Sequence, residues 1–174
     1  AAVADTYSLR NASDRLSLIE GQGGNAKTEA AVVAALNWLV AAQSRDGRWS
    51  ATQFGAGQEQ MVLGQDRGGA GRNADQGVSA LALLAFLGAG HSHVQGEYRD
   101  TVRRGVDFLL RSQAADGRLF GDSTLYAPMY WPSMATFALP AAGAMTGDTR
   151  RGAAVVYAVN FSLSATNPGP GLGR

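Results

Sequence analysis

Residues 104–117 read RGVDFLLRSQAADG, and residues 34–47 read AALNWLVAAQSRDG. Each stretch has an aromatic followed by Leu, a Gln five positions after the aromatic, and then Asp-Gly. In the first these are Phe108-Leu109, Gln113 and Asp116-Gly117; in the second they are Trp38-Leu39, Gln43 and Asp46-Gly47. The apolar residues before each Gln recur at helical spacing, and Asp-Gly is turn chemistry that stops a helix. A third, weaker copy lies near the C-terminal end. Trp38, Phe108 and Phe161 align, and so do Val32, Val102 and Val155; Leu36, Val106 and Val159; and Val40, Leu110 and Leu163. The Gln position then holds Gln43, Gln113 and Thr166.

Two more uniformly apolar stretches separate these amphipathic helices. One is VSALALLAFLGA, Val78 to Ala89; the other runs from Ser133 to Met145. No segment alternates with a period of two, so the chain reads as all-α. The unit is an amphipathic outer helix paired with an inner helix that is apolar on every side and expected to be buried all round. Such hairpins cannot bury their apolar faces singly and therefore stack.

Thr28 is placed to cap the first outer helix and Asp75 the first inner one, which then covers Gln76 to Leu87. A proline inside a helix lacks a donor and clashes with the preceding turn, so Pro140 predicts a kink. A last helix is expected from Arg151 to Ala165. Residues 1–27 read as an irregular N-terminal arm with one short helix over Ser13 to Glu20, and residues 28–174 as the repeat domain. Within that domain, residues 50–73 form a long loop rich in Gly and Gln, a length that is often functional.

Composition narrows the function. The 174 residues suit one domain, 45% of them hydrophobic. A net charge of +1 gives no footprint for nucleic acid. The absence of cysteine excludes a disulfide framework, a thiolate zinc site and a cysteine nucleophile. The longest apolar run is too short to span a bilayer, so no transmembrane segment is expected. The opening AAVAD suits the residues after a small-residue cleavage site. No compartment is specified: a soluble or membrane-peripheral chain is expected, with a periplasmic location left open.

The Gln sits where helix carbonyls lack intrahelical partners. Its amide can donate to them and accept from a neighbouring turn, while Trp49, after the Gly, can pack over that turn. A basic-Gly start, an aromatic-Leu pair, Gln and then Gly-x-Trp together resemble the QW-type repeat of squalene-hopene and oxidosqualene cyclases. Arg104-Gly105, Phe108-Leu109, Gln113 and Gly117 match it, with Leu119 where Trp is expected. Trp38-Leu39, Gln43, Gly47 and Trp49 match apart from the basic-Gly start. Related hairpins occur in protein prenyltransferase β subunits. The resemblance implies an α/α-toroid architecture, here as a partial, open toroid.

What the resemblance implies for chemistry is more restrictive. Squalene-hopene-type cyclases use a D-x-D-D-T-A motif at the start of an inner helix, and its middle Asp protonates the substrate. Aligning Asp75-Gln76-Gly77 with D-T-A puts Arg72, Asn73 and Ala74 on the preceding positions. Ala74 therefore stands where the acid is expected. Asp75 is the remaining catalytic candidate if the chain acts as a cyclase, against its simpler role as a helix cap. Protein prenyltransferases hold zinc through Asp, Cys and His, a set that a cysteine-free chain does not supply. His91 and His93, with Glu97 or Asp100 as third ligand, are the metal-ligating candidates. Gly69 to Ala74, GAGRNA, fits a dinucleotide fingerprint but has no strand before it. Tyr126, Tyr130, Trp131, Met134 and Phe137 form an apolar-aromatic cluster of the kind that lines a cavity and stabilises cations.

The function expected on these grounds is a non-catalytic binding or assembly subunit, for an apolar ligand or a protein partner. The alternative is an isomerase, a fragment of a triterpene cyclase; a second is a metal-dependent enzyme using His91 and His93. No cofactor is expected. A protein partner or a homo-oligomer is, along with an isoprenoid or lipid ligand, because a five-helix part of a toroid leaves apolar faces uncovered.

Overall fold

The structure is a computed structural model and describes residues 15–115 and 127–148, with residues 152, 155–157, 159, 160 and 163. A short helix α1, Arg15–Gly21, precedes the first outer helix α2, Ala26–Ala42. The start of α2 corrects the expected cap. Asn25 holds the N-cap position, and its side chain accepts hydrogen bonds from the Lys27 and Thr28 N–H groups at 2.9 and 3.2 Å. Thr28 lies three residues on and accepts the Asn25 N–H at 2.9 Å, which closes a capping box.

Residues 50–73 are not structureless. Two 3-10 turns, Ala51–Phe54 and Ala70–Asn73, flank a minimal hairpin of β1, Met61–Val62, and β2, Gln65–Asp66. The pair is antiparallel, with Met61 opposite Asp66 and Val62 opposite Gln65. Leu63 at its tip has φ of 50° and is 98% exposed.

The inner helices come next. α3 is Asp75–Gly88, and Ala74 rather than Asp75 occupies its N-cap position. Asp75 belongs to the first helical turn, where a carboxylate favours the helix dipole. The second outer helix α4, Arg99–Arg111, is strongly amphipathic and buries Val102, Gly105, Val106 and Leu109. The second inner helix α5 runs unbroken from Ala127 to Thr146 through Pro140. Val155, Val156, Tyr157 and Val159 are helical too, within the span expected for the last helix.

The most extensive helix–helix interface joins α3 to α5, and α4 lies across both. Leu83, Phe86 and Leu87 of α3 are fully buried with Val102 and Leu109 of α4. Ala135, Ala138 and Ala142 of α5 are buried small residues that let the helices come close. The arrangement is an all-α, open part of an α/α toroid, with two inner helices side by side and outer helices behind them. No helix among the described residues is long and apolar enough to cross a membrane.

Burial corrects the expectation for α3. Its Ala80, Leu83 and Phe86 are covered, but Leu81 is 47% exposed and Ala85 is exposed on the same stripe. Positions 81 and 85 lie one turn apart and so share a face.

Candidate functional site

The repeat residues converge on one joint between the two outer helices. Gly47 has φ of 96°, a conformation that favours glycine, and a Cβ there would strike the Arg104 carbonyl. This close approach brings α4 over the Asp46-Gly47 turn. Gln43 Nε2 then donates to the Gly47 and Thr101 carbonyls, both at 3.0 Å. Gln43 Oε1 accepts from Arg104 Nη2 at 2.7 Å and Nε at 3.1 Å. Arg111, two turns along the same face of α4, donates to the Asp46 carbonyl at 2.7 Å.

Trp49 closes the joint from beneath. Its indole N–H donates to the Leu39 carbonyl at 2.7 Å, supplying a partner in the last turn of α2. Its backbone N–H donates to the buried Ser79 Oγ of α3 at 2.9 Å. A Cβ on Gly105 would lie 2.8 Å from Trp49 Cζ3 and 2.9 Å from Leu83 Cδ2, so the glycine of the Arg104-Gly105 pair makes room for the ring. The Gln43 side chain thus donates to its own turn and to the next outer helix, while the Leu39 carbonyl of α2 is served by Trp49 and the Val40 carbonyl by the Gln43 backbone N–H. Gln113 lies one residue beyond Ser112, the C-cap of α4, and its N–H donates to the Leu110 carbonyl. Gly117 lies outside the described residues.

The start of α3 carries the residues that bear on catalysis. Ala74 is 3% exposed. Asp75 Oδ2 lies 3.5 Å from Arg48 Nη1, and the same guanidinium reaches Asp46 Oδ2 at 3.5 Å. Arg48 therefore bridges the repeat turn and the inner helix.

An apolar groove of about 370 Å³ opens between α2, the first 3-10 turn and α3. Trp38, Phe54, Val78, Leu81 and Ala85 line it, and among the described residues no charged one does. The Trp38 and Phe54 rings lie 5.0 Å apart at 48° and are 55% and 56% exposed. In the sequence Trp38 reads only as a repeat residue, and Phe54 is missed altogether. The one signal for it is a lone aromatic in a polar, Gly-rich loop.

The histidines serve different partners. The His91 ring stands edge-on to Tyr98, with centroids 4.6 Å apart at 88°. His93 Nε2 lies 3.2 Å from Asp148 Oδ2, both side chains being buried. Among the described residues no group of three His, Asp or Glu is placed to hold a metal ion. Beside the His93–Asp148 pair, a second groove of about 360 Å³ is lined by α5 residues, among them Leu139 and Pro140, and by Val106 and Val155.

The expected aromatic cluster falls only partly among the described residues. Met134 packs against the core, whereas Phe137 is 68% exposed. Tyr126 and the side chains of Tyr130 and Trp131 lie outside them. Tyr98 donates to Asn37 Oδ1 at 2.8 Å. Burial, and then the neighbouring Glu97 charge, push its hydroxyl pKa above the ordinary value of 10.0.

The family model of the squalene-hopene cyclase C-terminal domain matches residues 14–157. No curated protein and no solved structure matches the chain.

Proposed function

Because the chain belongs to the squalene-hopene cyclase C-terminal domain family, we propose that it is a non-catalytic, cyclase-like subunit that binds an apolar ligand or a protein partner. The observation that carries this reading is the start of α3. The position aligned with the proton donor of squalene-hopene-type cyclases holds Ala74, buried and without a proton to give. The adjacent Asp75 faces the Arg48 guanidinium at 3.5 Å. The uncharged groove beside Trp38 and Leu81 supports a binding role, since exposed apolar surface of this kind marks interaction sites.

Incubation with squalene tests the reading. No polycyclic triterpene is expected above a heat-killed control, and its detection would overturn the proposal. Ala74→Asp alone is expected to leave the chain inactive, because Arg72 still occupies the first acidic position of the aligned motif.

A further inference from the structure

The two inner helices meet at their C-terminal ends. His93 lies just beyond α3 and Asp148 just beyond α5, and His93 Nε2 is 3.2 Å from Asp148 Oδ2. α3 and α5 therefore run parallel. The pair stands at the opposite end of α3 from Asp75, roughly 20 Å away at 1.5 Å per residue. Both side chains are buried, at 3% and 6% exposure. Among the described residues they are the polar side chains that line the groove of about 360 Å³, whose walls are otherwise apolar or glycine. An apolar pocket of a few hundred Å³ with a convergent polar group is the usual form of a small-molecule site. A buried ion pair is often no more stabilising than an apolar pair of the same size, so packing alone does not account for this one on a groove wall.

Gly143, in the last turn of α5, faces the same groove. A glycine within a helix costs stability against alanine. Among the described residues, a Cβ there would meet only the Asp148 carbonyl oxygen, at an ordinary 3.7 Å. Neither backbone nor close packing calls for glycine, and its missing side chain keeps the groove open beside Asp148. We propose that this groove binds an apolar molecule carrying a single hydroxyl, its chain along Leu139 and Val155 and its hydroxyl donating to Asp148. This rests on the binding role proposed above and names the class of ligand. A carboxylate head would meet Asp148 and the negative end of the α5 dipole. An ammonium head would lose its water beside a carboxylate whose charge already faces His93. A hydroxyl costs less to desolvate, and a carboxylate, with about four lone-pair sites, can accept from it as well as from His93.

Titration of the full chain with n-decanol, n-decanoate and n-decylammonium, followed by backbone amide NMR, tests the site. Saturable shifts are expected at Gly143 and Gly147 with n-decanol, which should bind about tenfold more tightly than either charged probe. Shifts centred on Leu81 and Ala85 instead, or tighter binding of a charged probe, overturn the proposal. Gly143→Leu fills the groove from an unstrained helical position. It is expected to weaken n-decanol binding by about tenfold or more while the melting temperature holds or rises. A folded Gly143→Leu chain that binds n-decanol as tightly as the parent overturns the site. Asp148→Asn removes the carboxylate charge, so discrimination against n-decanoate is expected to shrink; intact discrimination overturns Asp148 as the head-group partner. Turnover of squalene would sink the non-catalytic reading and leave this site standing. Failure of n-decanol to bind sinks the site whatever squalene does.

Discussion

Gln43 uses both ends of its amide across two outer helices. Leucine has a similar size but neither donor nor acceptor. Gln43→Leu leaves the Gly47 and Thr101 carbonyls and the Arg104 guanidinium without these bonds. A loss of about 1–3 kcal/mol is expected, because groups at a part-buried joint lose partners that water replaces poorly. Urea unfolding checks this: the midpoint should fall with an unchanged slope. An unaltered midpoint would show that the joint does not hold the fold together. The special place of Gln43 is legible in the sequence, since a repeat fixes it at the helix end. Its partner Arg104 is visible there only as a motif match. A contact between residues 61 apart leaves no periodic trace along the chain.

At the scale of elements, the repeat locates both outer helices and both inner ones, because hydrophobic spacing reports helices well. Boundaries are less legible. Thr28 resembles a cap because the apolar pattern begins at Val32, but Asn25 and Thr28 share the task in a reciprocal box one turn earlier. Asp75 resembles a cap by residue type alone, and Ala74 holds that position. The hairpin over residues 61–66 is not legible at all. Its turn is Leu63-Gly64 rather than Asn-Gly or Asp-Gly, and Leu63 adopts a positive φ that a branched apolar side chain rarely takes. The exposed stripe of α3 is hidden for another reason. An all-apolar helix says that it wants covering on every side, not which neighbours are present to cover it.

Over the whole molecule, Tyr98 connects three helices. It precedes α4, donates to Asn37 of α2, and its ring lies 5.4 Å from Phe86 of α3. Its raised pKa makes the stability of the fold depend on alkaline pH. The folded state holds the phenolic proton more tightly than the unfolded chain does. The associated stability is complete below about pH 10 and falls as pH rises through that value towards the folded pKa. In Tyr98→Phe the melting temperature is expected to be lower at neutral pH, by the loss of one hydrogen bond worth about 1 kcal/mol. Its decline above about pH 10 should then be shallower than in the parent. Parallel alkaline declines in the two proteins would contradict this account. The toroid class is legible from the repeat, whereas the candidate site is legible only at Ala74. The groove depends on Phe54 and Leu81 meeting across the long loop, which no local pattern encodes.

The joint at Gln43 also sets an order of events in time. Its partners Thr101 and Arg104 come 58 and 61 residues later, beyond the long loop and the whole of α3. Closing so wide a loop carries an entropic cost that is met only once the intervening chain is ordered. The bonds of Gln43 to Thr101 and Arg104 therefore wait until α4 docks, whereas its bond to the Gly47 carbonyl lies within its own turn. Interactions made after the rate-limiting step slow unfolding without hastening folding. Stopped-flow kinetics of Gln43→Leu should accordingly show faster unfolding at a nearly unchanged folding rate, and slower folding with unaltered unfolding would reverse the sequence. The turn that finishes the first repeat is completed by the arrival of the second.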